Sequence, residues 1–146
     1  MKKQHLFCLL FIGVLLDGCT SKDEPQRINE GLAGSWQGAN EIRPLGRCSW
    51  TGDASVSVKA TFQVTDSTIT GRLVRGASSV QITGKVDGTN VRINENSNVI
   101  CDGVPGTYTS RYEGLLNGNT LTLTSRDTLC PKEECIFLRT LKLARQ

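Results

Sequence analysis

From Leu32 to the end of the chain, apolar and polar residues alternate with a period of two, in runs broken by Gly, Asn and Asp. That is the pattern of strands with one buried and one wetted face. The clearest run spans 54–65, where Val56, Val58, Ala60, Phe62 and Val64 share one face and Ser57, Lys59, Thr61 and Gln63 the other. The same reading predicts strands at 34–41, 68–75 (Ile69, Leu73 inward), 79–86 (Val80, Ile82, Val86) and 89–94 (Val91, Ile93). It continues with 107–116 (Tyr108, Tyr112), 119–125 (Leu121, Leu123) and 135–144 (Phe137, Leu141, Leu143). No stretch has helical periodicity, so the expectation is an all-β domain of eight strands.

Glycines inside these runs sharpen the prediction. Ile69-Thr70-Gly71-Arg72-Leu73 and Ile82-Thr83-Gly84-Lys85-Val86 repeat one pattern, and Tyr112-Glu113-Gly114-Leu115 echoes it. A mid-strand glycine costs stability unless the strand bends sharply or another backbone comes close, and strong coiling is what barrel closure requires. The expected fold is therefore an eight-stranded antiparallel up-and-down β-barrel. Tight turns are expected at 65–68, at Asp87-Gly88 and at Asn117-Gly118, and longer connections at 42–53, 76–78, 95–106 and 126–134. Successive connections of a meander alternate ends, which puts the tight turns at one end and the longer loops at the other. Cys48, Cys101, Cys130 and Cys135 all fall at the longer-loop end. Four cysteines allow three pairings. The favoured one joins Cys48 to Cys101 and Cys130 to Cys135, worth about 4 and about 2 kcal/mol on chain-entropy grounds. Metal binding by these cysteines is disfavoured, because the sequence has no Cys-x-x-Cys.

Ahead of the alternating region, a basic start (Lys2, Lys3) and an apolar run from Leu6 to Leu16 lead into Leu16-Asp17-Gly18-Cys19. The run is too short to span a bilayer and is followed by a processing site. It resembles the lipobox of bacterial lipoproteins, from which Asp17 departs, since a small or uncharged residue is usual there. The resemblance implies removal of residues 1–18, lipidation of Cys19 by acyl chains such as palmitate, and anchoring in the cell envelope. Thr20 in place of Asp after the cysteine implies sorting to the outer membrane, facing the periplasm. Residues 19–31 then form the lipidated N-terminus and a polar linker, whose residues 20–31 reach roughly 40 Å fully stretched or about 20 Å as a coil. Residues 32–146 form the barrel domain.

Removal of the leader leaves 128 of the 146 residues, enough for one domain. The formal charge falls from +3 to +2 as Lys2, Lys3 and Asp17 depart, and the remaining basic residues are scattered. That is no footprint for nucleic acid. The single histidine, His5, lies in the leader, so the mature chain lacks the residue on which most general-base, triad and zinc chemistries rely. An enzyme is not expected, nor a metal or other cofactor.

Leu32-Ala33-Gly34-Ser35-Trp36 opens the first strand with Gly-x-Trp, and with an eight-strand meander this resembles the lipocalin-like (calycin) barrels, small bacterial lipoproteins among them. The resemblance implies that Trp36 sits near the closed end with a basic residue of the last strand packed across it. Arg139, in phase with Phe137 and Leu141, is the expected partner, with Lys142 and Arg145 in reserve. The implied function is binding of a small apolar or amphipathic ligand at a disulfide-braced mouth. There Trp50 with Arg43, Arg47 and Arg75 would hold an acidic or aromatic group. A second reading is a protein-binding envelope lipoprotein, such as an inhibitor of proteases or lysozyme, for which stiffened loops lose little entropy on contact. A third is a purely structural envelope lipoprotein.

Overall fold

The alternating runs become eight strands in the computed structural model, which describes residues 31–46, 52–101, 104–128 and 135–146. They are β1 (Gly34–Gly46), β2 (Ser55–Thr65), β3 (Thr68–Arg75), β4 (Ser78–Asp87), β5 (Asn90–Cys101), β6 (Val104–Asn117), β7 (Thr120–Asp127) and β8 (Cys135–Arg145). Each strand pairs antiparallel with the next, and β8 returns to β1, so the barrel closes in chain order. The residues assigned inward by alternation form the core, with Val58, Phe62, Ile69, Leu73, Ile93, Leu121, Leu123 and Leu141 fully buried.

Closure depends on four inward glycines. A Cβ on Gly38, Gly71, Gly84 or Gly114 would lie 1.8 to 2.2 Å from a carbonyl oxygen of the neighbouring strand, those of Lys142, Thr61, Arg92 and Thr122 in turn. The requirement is for space, not for an unusual φ, because the coiled strands bring their backbones together there.

Three connections depart from expectation. β3 and β4 are joined by a two-residue turn at Gly76-Ala77, with Gly76 at φ 55° and Arg75 opposite Ser78, so one tight turn falls at the end assigned to longer loops. β1 runs on to Gly46, because residues 42–46 find ladder partners in residues 135–139 of β8. Most of 95–106 is strand too, since β5 and β6 stay paired as far as Cys101 opposite Val104. Alternation is blind there, because Glu95-Asn96-Ser97-Asn98 is polar at every position and Val99 and Ile100 follow side by side. Thr109 donates its hydroxyl to Asn96 Oδ1 at 2.7 Å on the outside. Ladder pairing with β4 stops at Ile82–Glu95 and pairing with β7 at Glu113–Thr124, so the β5–β6 ribbon extends past both neighbours. At the opposite end the turns Asp66-Ser67, Gly88-Thr89 and Gly118-Asn119 carry φ of 55–56° at their first residue. The latter two sit one residue later than the Asp-Gly and Asn-Gly signals suggested.

That tight-turn end is sealed by the chain start. Leu32 is fully buried and its carbonyl accepts the Trp36 indole N–H at 2.9 Å. Trp36 meets Phe62 edge to face, 6.3 Å between centroids. The basic residue opposite Trp36 is Arg145, which donates to the Gly31 and Ala33 carbonyls at 3.2 and 2.9 Å. This corrects the expectation for Arg139. In the β1–β8 register Arg139 pairs with Ile42, six residues and about 20 Å further along the strand. Both ends of the described chain lie here, for the Gln146 N–H bonds the Ser35 carbonyl at 3.0 Å.

Replacing Gly114 by Ala should destabilise the barrel by about 3 kcal/mol through backbone overlap, whereas Gly106→Ala, with open space around it, should be close to neutral in urea denaturation. Trp36→Ala should cost about 3–5 kcal/mol as a core truncation.

Candidate functional site

Along the barrel axis the inward faces change character. Towards the tight-turn end they carry Trp36, Phe62, Ile69, Val86, Leu116 and Leu143, all buried. Towards the other end the same period-two phase delivers Asn40 from β1, Arg75 from β3, Glu95 from β5, Ser110 from β6, Ser125 and Asp127 from β7 and Arg139 from β8. Of these Asn40, Glu95, Ser110, Ser125 and Asp127 are buried and the two arginines partly so.

Two side-chain ties cross this polar layer, each skipping a strand. Arg75 donates both Nη groups to Glu95, at 2.6 and 2.7 Å, passing over β4. The Ser97 hydroxyl adds a third bond to the same carboxylate at 3.1 Å. The Glu95 side chain is only 3% exposed and that of Arg75 17%, so the pair is screened from water, where an exposed pair would contribute little. Burial by itself pushes the Glu95 carboxyl up, but the hydrogen bonds and charge of Arg75, the Ser97 hydroxyl and the charge of Arg139 outweigh it and hold the group below its ordinary value. Burial likewise pulls Arg75 down, and the Glu95 bond and charge more than restore it. On the other side Arg139 passes over β7 and donates Nη1 to the Ser110 hydroxyl at 3.0 Å. The Ser125 hydroxyl donates to Asp127 at 2.6 Å.

The two tyrosines line the same region. Burial, then the charge of Asp127 and a hydrogen bond to it, push Tyr108 up to about 12. Burial and the Glu95 charge raise Tyr112 against the opposing charges of Arg139 and Arg75 and the close approach of the Arg139 guanidinium to its hydroxyl. Among the described residues, four buried polar side-chain atoms have no hydrogen-bond partner: Asn40 Oδ1, Arg75 Nε, Tyr112 OH and Arg139 Nε. Buried polar groups are ordinarily paired, and all four belong to inward-facing residues of this half of the barrel.

The residues singled out from the sequence are distributed differently. Arg75 does hold an acidic group, but it is Glu95 of its own chain. Arg43 is exposed, opposite Leu138 and out of phase with the inward Asn40, so it lies on the outer wall. Arg47, Trp50, Cys19, Cys48, Cys130 and the Cys101 side chain lie outside the described residues. Cys135 is buried at the first residue of β8 and is not a free thiol, and the group it engages lies outside them as well. Alternation alone passed over Asn40, Glu95, Ser125 and Asp127, because inward positions were sought among apolar residues. The signal was present in the phase: Glu95 follows Val91 and Ile93, and Asp127 follows Leu121 and Leu123, each by steps of two.

Glu95→Gln should strand Arg75 and cost about 3–5 kcal/mol, while the double change Arg75→Met with Glu95→Leu should recover most of it. Because the folded Glu95 pKa lies below its ordinary 4.5, the pair's contribution is complete above that pH. It is lost as pH falls through the folded value, and urea denaturation against pH should show this acid limb in the native sequence but not in Glu95→Gln. The chain has two tyrosines, both shifted upward. Spectrophotometric titration should therefore find them largely protonated at pH of about 10 in the folded protein and half-ionised there once it is unfolded.

No family model, curated protein or solved structure matches this chain. The reading of the site rests on its own geometry and chemistry.

Proposed function

We propose that this protein is a lipid-anchored envelope lipoprotein of the lipocalin-like kind, a binding protein and not an enzyme, whose barrel receives a small amphipathic ligand through its non-sealed end. The observation that carries the reading is the polar upper interior, with four buried unpartnered atoms, standing above an apolar half that is already filled. Such a lining favours a ligand with a polar or charged group over a wholly apolar one, since a buried polar group left unpaired is costly.

The placement of the chain start supports the anchored arrangement. Gly31 and Leu32 lie at the sealed end, held by Arg145 and Trp36. A lipid on Cys19 would attach there through the linker, leaving the opposite end to face away from the membrane. Disulfides among Cys48, Cys101, Cys130 and Cys135 would brace the rim of that opposite end, where Cys135 begins β8. The expected site is the outer membrane, facing the periplasm.

Native mass spectrometry of the full protein extracted from its own membrane should show an acylated N-terminus and a bound small molecule that leaves on unfolding. Cys19→Ser should release the protein in soluble form with its barrel intact by circular dichroism. An unacylated N-terminus would remove the anchoring claim, and protein that is consistently free of any small molecule would remove the binding claim.

A further inference from the structure

Between β6 and β7 the barrel wall is unzipped, and the break falls where two like charges would meet. The ladder ends at Glu113–Thr124, although β6 extends to Val104 and β7 to Asp127. Two residues further on, the same register would set Arg111 directly opposite Arg126, both exposed on the outer face. Like charges directly opposite each other destabilise a strand pair.

Beyond the break β6 carries a strip of unpaired backbone. The Leu116 N–H bonds the carbonyl of Thr89, which leads into β5, so even-numbered residues of β6 turn their backbone groups to β5 and odd-numbered ones to the other side. Those of Thr107, Thr109 and Arg111 therefore face the side that β7 has left. Pro105, next in that series, has no N–H to offer and bounds the strip. An edge of this kind is a template for another strand.

Charge selects the occupant. Among the described residues neither Arg111 nor Arg126 has an ion-pair partner, and Glu113, two residues along β6, is engaged by Arg92 at 3.5 Å. A strand laid on this edge would pass between the two guanidinium groups, where a carboxylate is matched by both. A second copy of the edge would bring more arginine and no carboxylate.

We propose that the β6 edge at Thr107, Thr109 and Arg111 binds an extended acidic segment of a partner protein, which adds as a strand and places a Glu or Asp side chain between Arg111 and Arg126. Main-chain hydrogen bonds supply the affinity and the two arginines the preference for acid. This interaction is on the outside of the barrel and is independent of what the interior takes up.

The test is an amide NMR titration of the full-length protein in a non-ionic detergent at low salt. The probes are the acetylated and amidated peptide Thr-Val-Glu-Val-Glu-Val-Thr, its counterparts with Gln or Lys at both Glu positions, and the Glu peptide N-methylated at its Glu amides. The Glu peptide should shift the Thr107, Thr109 and Arg111 amides and protect them from exchange, bind about tenfold more tightly than the Gln peptide, and lose that margin as salt rises. The Lys and N-methylated peptides should not bind. Arg111→Gln and Arg126→Gln should each cut the margin of Glu over Gln severalfold. Arg126→Glu should let the ladder close one pair further, which protects the Arg111 N–H without any peptide and blocks the Glu peptide. Equal binding of the Glu and Gln peptides overturns the acidic class. Binding that spares the three amides, or that survives N-methylation, overturns strand addition, as does an Arg111 N–H left unprotected in Arg126→Glu for the like-charge origin of the gap. Protection of the three amides in the free protein that fades on dilution puts a second copy on the edge and overturns the partner. No binding by any of the peptides overturns the site, and the small-molecule reading stands or falls separately on the native mass spectrum.

Discussion

Closing eight strands into a ring forces neighbouring backbones together wherever a strand coils tightly, and in this chain those approaches fall on Gly38, Gly71, Gly84 and Gly114. Any side chain there would overlap a carbonyl oxygen of the next strand. The rest of the structure follows from that allowance. With the strands coiled, β8 can meet β1 in a register that puts Arg145 opposite Trp36. Trp36, Phe62 and Leu32 can then seal one end. Eight strands leave an interior about as wide as its own side chains, so what the inward positions carry decides what the barrel can hold.

Those positions divide the barrel along its axis. The apolar half is stabilised by burial, the dominant favourable term in folding. The polar half holds charges whose desolvation is compensated only by close geometry, as in the doubly bonded Arg75–Glu95 pair. The location of that pair answers a specific need. Ladder pairing of the β5–β6 ribbon to β4 ends at Glu95, and its pairing to β7 ends at Glu113. Beyond those points the ribbon is tied to the wall by side chains, Glu95 to Arg75 of β3 and Ser110 to Arg139 of β8. Cross-barrel polar contacts therefore do there what backbone hydrogen bonds do elsewhere. The same residues that hold the ribbon line the interior that a ligand would enter.

Much of the fold was legible in the chain because alternation and glycine placement are local. Val56 through Val64 read as one buried face without knowledge of a partner strand, and Gly71 and Gly84 announced close backbone approach. The three turns of the sealed end were legible to within a residue, since positive φ selects Gly or Asp at one position, whereas the turn at Gly76-Ala77 read as part of a longer loop. Far less of the site was legible. Arg75 read as an outward arginine at a mouth, and Glu95 as the start of a loop, because a charged residue in an inward phase makes sense only when its counter-charge is known.

The sequence by itself determined the strand count, the apolar part of the inward set, the meander and the composition that excludes histidine chemistry from residues 32–146, all of which depend on residues near one another in the chain. Register was decided only by the tertiary structure. The extension of β1 to Gly46 along β8 moved Arg139 away from Trp36 and into the polar half, and brought Arg145 to the seal in its place. Arg75 and Glu95 stand twenty residues apart and meet only because β3 and β5 curve around a common interior. Alternation states which face a side chain takes, but its height on the barrel and its neighbour across the lumen depend on how far every strand has slid against the next.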